Sequence, residues 1–256
     1  MSTPAGTAPA PTAAAPRVRI RFSKQGKIRF TSHRDVARIW ERALRRAGVA
    51  IAYTEGFSPR PKLSFGLALS TGHESHGEYL DVALRDGRDL AALDGLAARL
   101  DAVLPAGIAV QSAAILPPGA ESLQQAVTSC TWRIEVGDVA PPEAAAAAAK
   151  ALAATELVVT RERKGQAVTD DVRPAIIALR VLGPVVDVAA PLAPLATGVA
   201  TALEADLATQ PRALRPAELI AAIDPTWVVV GVTRIHQWTP AGGARREVID
   251  LGPAAT

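Results

Sequence analysis

The sequence predicts an α+β protein of two tandem ferredoxin-like βαββαβ modules with mainly antiparallel sheets. Three observations carry that expectation. Period-two stretches of alternating apolar and polar residues are interleaved with stretches whose apolar residues recur every three or four positions. The order strand, helix, strand, strand, helix, strand can be traced twice along the chain. At 256 residues, 49% hydrophobic and 21% charged, the chain is long enough to bury two small cores.

Residues 17–22 alternate Arg-Val-Arg-Ile-Arg-Phe, so a strand here carries Val18, Ile20 and Phe22 on one face and arginines on the other. Ser32 is placed as an N-cap, with Asp35 three residues on completing an approximate capping arrangement. A helix then runs to about Ala47, where Gly48 closes it. Its apolar stripe is Val36, Ile39, Trp40, Ala43, Leu44 and Ala47. Short strands follow at 49–53, 63–69 and 78–84, then a helix at 89–103 and a strand at 108–116. Pro117-Pro-Gly119 marks a module boundary. The second round has strands at 129–136, 157–163, 175–181 and 185–188, helices at 142–154, 201–207 and 216–223, and a last strand at 227–235. The expected organisation is a disordered tail at 1–16, a basic module at 17–117, a second module at 118–238 and a flexible tail at 239–256.

Charge is sorted unevenly along this frame. Thirteen of the 28 basic residues fall between Arg17 and Lys62 against three acids, so that segment carries +10 in a chain of net +3. Such a local positive field concentrates polyanions at one surface. Nucleic acid is the first candidate partner and an acidic protein the second. Arg19 and Arg21 on the strand and Arg34, Arg38, Arg42 and Arg45 on the helix are the expected phosphate contacts, because guanidinium makes paired hydrogen bonds to phosphate.

The basic run leads into a rigid loop, Glu55-Gly56-Phe57-Ser58-Pro59-Arg60-Pro61-Lys62-Leu63-Ser64-Phe65-Gly66. Rings can stack on unpaired bases and cations can pair with phosphates, so Phe57, Arg60, Lys62 and Phe65 are the expected contacts to single-stranded RNA. Pro59 and Pro61 stiffen the presentation. After it comes Gly72-His-Glu74-Ser75-His-Gly-Glu78-Tyr79-Leu-Asp81, a turn followed by a strand. Its carboxylates are expected to shape the turn and neutralise arginines. One of these carboxylates can also serve as a general base or a substrate orienter, and Asp81 is the nominee for a catalytic residue if the protein is an RNA-modifying enzyme. No metal site and no cofactor are expected, since His-x-x-His here sits on a turn with few other soft ligands in the chain.

The single cysteine, Cys130, excludes an intramolecular disulfide and an iron–sulfur cluster held by several cysteines of this chain; it is read as a buried thiol in a strand. Residues 1–16 lack the features of a signal peptide, and no stretch of some 18 apolar residues is uninterrupted, so a cytoplasmic protein without a membrane span is expected.

The run Tyr53 to Gly66, the following Gly72-x-Glu-Ser-x-x-Glu-Tyr-Leu-Asp81, the upstream Arg29-Phe-x-Ser-His-x-Asp35, and the pairs Arg173-Pro174 and Arg215-Pro216 together resemble the radical-SAM-linked uncharacterised domain family. Members of that family follow a radical SAM module in one polypeptide or stand alone in actinobacteria. The resemblance spans about residues 17–238 and implies partnership with a radical SAM enzyme; this chain lacks the clustered cysteines to be that enzyme. The expected function is therefore a non-catalytic protein that binds tRNA or ribosomal RNA, or presents a substrate, beside a radical SAM partner. The alternatives are an RNA-modifying enzyme like a pseudouridine synthase in architecture, and a protein-interaction module without RNA.

Overall fold

The computed structural model describes residues 15–85, 95–163, 165–186, 188 and 191–249. The alternation at the start of the chain becomes strand β1 (Arg17–Lys24), which buries Val18, Ile20 and Phe22. Helix α1 (His33–Arg46) lays its stripe of Val36, Trp40, Ala43 and Leu44 on them, with the Phe22 and Trp40 rings edge to face at 4.8 Å. Strands β2 (Leu63–Phe65), β3 (Glu74–Ala83) and β4 (Ile108–Leu116) and helix α2 (Leu96–Asp101) complete this first core.

The second core is built from β5 (Ser129–Gly137), β8 (Ile176–Val186), β9 (Val199–Ala208) and β10 (Val228–Ala241), under α4 (Pro141–Ala153) and α5 (Pro216–Ile223). A short helix α3 (Leu123–Ala126) bridges the halves, and β6 (Val158–Arg163) with β7 (Gln166–Asp171) forms a separate hairpin. The protein is α+β with a mainly antiparallel sheet. That sheet runs β4-β1-β3-β10-β5-β9-β8, with β2 added to β3 and β11 (Ala244–Glu247) added to β10. Each half is antiparallel throughout, in the orders β4-β1-β3-β2 and β10-β5-β9-β8. The halves meet where β10 runs parallel to β3, pairing Thr233 with Glu74 and Arg234 with Ser75.

Two expectations are corrected. Residues 201–207 are not a helix: they lie in β9, hydrogen-bonded to β5 on one edge and β8 on the other. Its alanines favour a helix alone, but two flanking strands satisfy its whole backbone and Ala200, Ala202 and Ala205 pack at full burial. Residues 239–247, expected to be a flexible tail, instead extend β10 and return as β11. The turn is Gly242-Gly243, with φ of +54° and +86°, which lets Ala241 pair with Ala244. The expected helix at 89–103 is described only from its later part, as α2; residues 86–94, 1–14 and 250–256 lie outside the described residues.

Candidate nucleic-acid interface

The buried stripe of α1 determines where its cations go. With Val36, Trp40, Ala43 and Leu44 pinned inward, Arg34, Arg38, Arg42, Arg45 and Arg46 all stand in solvent on the outer surface. The Ser32 hydroxyl accepts from the Asp35 backbone N–H at 3.2 Å and donates to its carboxylate at 2.7 Å, capping the helix. That hydroxyl, with the charges of Arg38 and Arg34, holds the Asp35 carboxyl below its ordinary range. Arg38 pairs with Asp35 at 3.2 Å, both more than half exposed. Arg34, Arg42, Arg45 and Arg46 make no ion pair among the described residues.

The loop after α1 is pinched at its base. Thr54 N–H donates to Arg60 O at 2.8 Å, Arg60 N–H donates to the Thr54 hydroxyl at 2.9 Å, and Tyr53 bridges Pro61. Lys62 N–H reaches Ala52 O, and Ala52 N–H reaches Ala83 O at the end of β3. This stem projects Glu55, Gly56, Phe57, Ser58 and Pro59 outward, with Arg60 and Lys62 exposed beside them. Phe57 is wholly exposed, at 111% of its reference area. A free phenyl ring at the tip of a tied loop leaves apolar surface in water. Phe65 differs: it packs on the first core from β2 and meets the His33 ring edge-on at 5.1 Å. That contact joins the foot of the loop to the first turn of α1. Gly66 then ties the chain to β3, donating to Tyr79 O at 2.9 Å.

The arginine face of β1 has the opposite fate, and the phosphate-binding role expected of Arg19 and Arg21 is corrected here. Arg19 is 6% exposed and grips Asp81 with two hydrogen bonds of 2.6 and 2.8 Å. It also reaches Glu121 O at 3.3 Å, while Arg17 donates to Ala120 O and lies 3.9 Å from Asp81. Arg21 is 5% exposed, lies 3.5 Å from Glu247 on β11, and sits over the Tyr79 ring at 5.9 Å. Residues 120–121 and the C-terminal hairpin cover this face, and a covered guanidinium must be matched by a carboxylate. Asp81, nominated as a catalytic residue, is that counterion: it is 3% exposed with both oxygens held by Arg19.

The rest of the motif also engages cations. Glu74 accepts from Arg29 at 3.0 Å and from Gly26 N–H at 2.8 Å, and the Ser75 hydroxyl accepts from Gly77 N–H at 3.1 Å. Glu78 accepts from Arg234 at 2.8 Å on the helix side of the sheet; Tyr79 and Asp81 face the other way. Arg234 was not anticipated. It is 1% exposed, donates to Leu67 O and Ala68 O, and covers the Trp132 ring at 4.7 Å, tying the 67–68 segment of the first half to the second. A lone arginine within the apolar run 228–235 was its available signal. Glu247 was missed with the hairpin that carries it. Cys130 is buried, and burial pushes its thiol up to about 11, so it is an inert packing group.

The chain belongs to the bacterial family described as "Uncharacterized protein conserved in bacteria (DUF2344)", which it matches over residues 17–219. The matched span takes in α1, the loop and the Arg19–Asp81 pair, and ends within α5. Comparison with curated proteins gives no match. Among the described residues no helix is long and apolar enough to cross a membrane.

Proposed function

We propose that this protein is a cytoplasmic, non-catalytic RNA-binding partner that holds tRNA or ribosomal RNA on α1 and the 55–62 loop and presents it to a radical SAM enzyme. The observation that carries the reading is four exposed arginines that make no ion pair among the described residues, on a helix whose orientation is locked by a buried stripe. The loop that follows this helix carries a fully exposed phenylalanine at its braced tip. Cations for phosphates beside a ring for an unstacked base is the pairing that single-stranded RNA demands. Arg34, Arg38, Arg42, Arg45, Arg60, Lys62 and Phe57 carry the contact; Arg19, Arg21 and Phe65 support it from within. The radical SAM partnership rests on the motif resemblance. We also read each half as a ferredoxin-like module, which the two antiparallel strand orders support.

The test is fluorescence anisotropy of labelled single-stranded and stem-loop RNA at a series of salt concentrations from about 50 to 200 mM, where phosphate contacts release counterions. Affinity should fall steeply with salt and be lost in Arg38→Glu/Arg42→Glu. A flat salt dependence, or full binding by the double variant, sinks the reading. For the partnership, cross-linking with the radical SAM proteins of the same cell should join one of them to this chain; cross-links to none of them discard that part alone.

A further inference from the structure

The face of the sheet opposite the helices holds a second arrangement, at Glu247. Its carboxylate lies between three side chains: Tyr79 donates to Oε2 at 2.8 Å, His236 Nδ1 donates to Oε1, and Arg21 Nη2 lies 3.5 Å from Oε1. Burial raises the Glu247 carboxyl's pKa, and the bonds from His236 and Tyr79 with the charge of Arg21 more than reverse that, so Glu247 is an anion. Burial, and then the Glu247 charge, hold the Tyr79 phenol protonated far beyond its ordinary range, so it stays a donor. Gly77 forms the floor, where a Cβ would come within 3.3 Å of Arg21 Nη2 and of Ile235 O.

The donors outnumber what Glu247 satisfies. Arg21 is 95% buried, yet its Nε has no hydrogen-bond partner among the described residues. An unsatisfied buried donor is unfavourable, and a tetrahedral anion with more oxygens than a carboxylate can occupy it. The segment supplying Glu247 is lightly held. β11 has four residues, pairs on one edge only, and follows a Gly-Gly turn with residues 242–246 exposed. Arg245 fastens it through Asp206 at 2.8 Å and the Trp238 ring at 4.5 Å, and Val248 rests on the second core.

We propose that Arg21, Tyr79 and His236 form a cradle for a phosphate group, and that Glu247 occupies it in cis, making the C-terminal hairpin an internal competitor that the phosphate displaces. The phosphate is either free or borne by RNA. The RNA source rests on the function proposed above, and there the hairpin is a gate on a second contact point across the sheet from α1.

The probe is inorganic phosphate, titrated by calorimetry into the full chain, Glu247→Gln and Arg21→Met/Glu247→Gln. Glu247→Gln should bind at least about tenfold more tightly than the wild type, a difference of about 1.4 kcal/mol. The added Arg21→Met should abolish the gain. In the unaltered protein, saturating phosphate should speed tryptic cleavage after Arg245 and Arg246 as the hairpin lifts; this needs no variant to fold. Equal affinity in wild type and Glu247→Gln, a gain that survives loss of Arg21, or cleavage indifferent to phosphate each overturns the cradle. Paired 5′-phosphorylated and 5′-hydroxyl oligoribonucleotides separate the sources. Salt-dependent RNA binding that Glu247→Gln leaves unchanged, with no phosphate bound, removes the cradle and keeps the RNA reading. Phosphate bound by Glu247→Gln without any RNA binding keeps the cradle, with free phosphate as its ligand, and removes the RNA reading.

Discussion

β1 and α1 are both arginine-rich and adjacent in sequence, yet they handle charge in opposite ways. On β1, period two sends Arg17, Arg19 and Arg21 to one face of a sheet, and later segments of the chain cover that face. On α1, Arg34, Arg38, Arg42, Arg45 and Arg46 point away from the only surface that the helix covers. Arg19 and Arg21 are matched by Asp81 and Glu247, from distant parts of the chain; among the described residues the exposed set pairs with one acid, the local Asp35. Lys24 belongs with the buried set: its ammonium donates to Arg29 O and Thr31 O, and burial lowers its pKa. The +10 of the basic segment therefore overstates the field that a partner feels. Coverage by other segments, more than charge count, decides which cations are available to a ligand.

The sharpest way to break this comparison is to remove a counterion from each side. Asp81→Ala strands Arg19 in a covered site and should cost about 3–5 kcal/mol, as the loss of one partner of a buried pair does. Urea unfolding should show the midpoint falling with little change in slope. A loss under about 1 kcal/mol, the range of exposed pairs, would mean that water reaches Arg19 and that the two sets are alike. Arg38→Ala/Arg42→Ala/Arg45→Ala should do the reverse, leaving each site's stability within about 0.5 kcal/mol. RNA affinity should fall, and the salt slope for single-stranded RNA should drop by about 2, from about 0.7 per lost phosphate contact. An unchanged slope would leave α1 a solvated face.

What was legible in the sequence follows from the same physics. The amphipathic α1, its Ser32 cap and the alternation of β1 are local patterns, and the structure keeps them. Which arginines are covered is not local: Glu121 and Glu247 lie 102 and 226 residues from their partners Arg19 and Arg21. Alanine in residues 201–207 favours a helix locally, and the flanking strands β5 and β8 override it. The hairpin has a legible signal in Gly242-Gly243, but the apolar run that marks the last strand stops at Ile235. Of the two loop phenylalanines, spacing alone could not say that Phe65 anchors while Phe57 stays free.

That division of labour gives a smaller effect. Phe57→Ala removes a ring that touches solvent on all sides, so thermal unfolding should be unmoved. If the ring stacks on a base, affinity for unpaired RNA should drop by about 1–3 kcal/mol, while fully paired RNA is bound as before. Equal losses on both RNAs would place Phe57 in a general contact and take the single-strand preference away from the loop.

His73 sharpens the comparison from a third position, a cation site that burial has discharged. Its ring is half-buried, edge-on to Trp132, and under the charges of Arg234 and Lys24, with no carboxylate partner among the described residues. Burial, then the charges of Arg234 and Lys24, lower its pKa from 6.5 to about 4. Between these values the unfolded chain binds a proton that the folded chain refuses, so this residue makes stability fall as pH drops from 6.5 towards 4 and adds no further slope below that. Part of the ring remains solvated, so the contribution is modest, on the order of 1 kcal/mol after screening. In His73→Gln, urea midpoints measured across this window should fall less steeply than in the wild type. Parallel profiles would mean that His73 charges freely in the fold, and that a cation beside Arg234 needs no counterion after all.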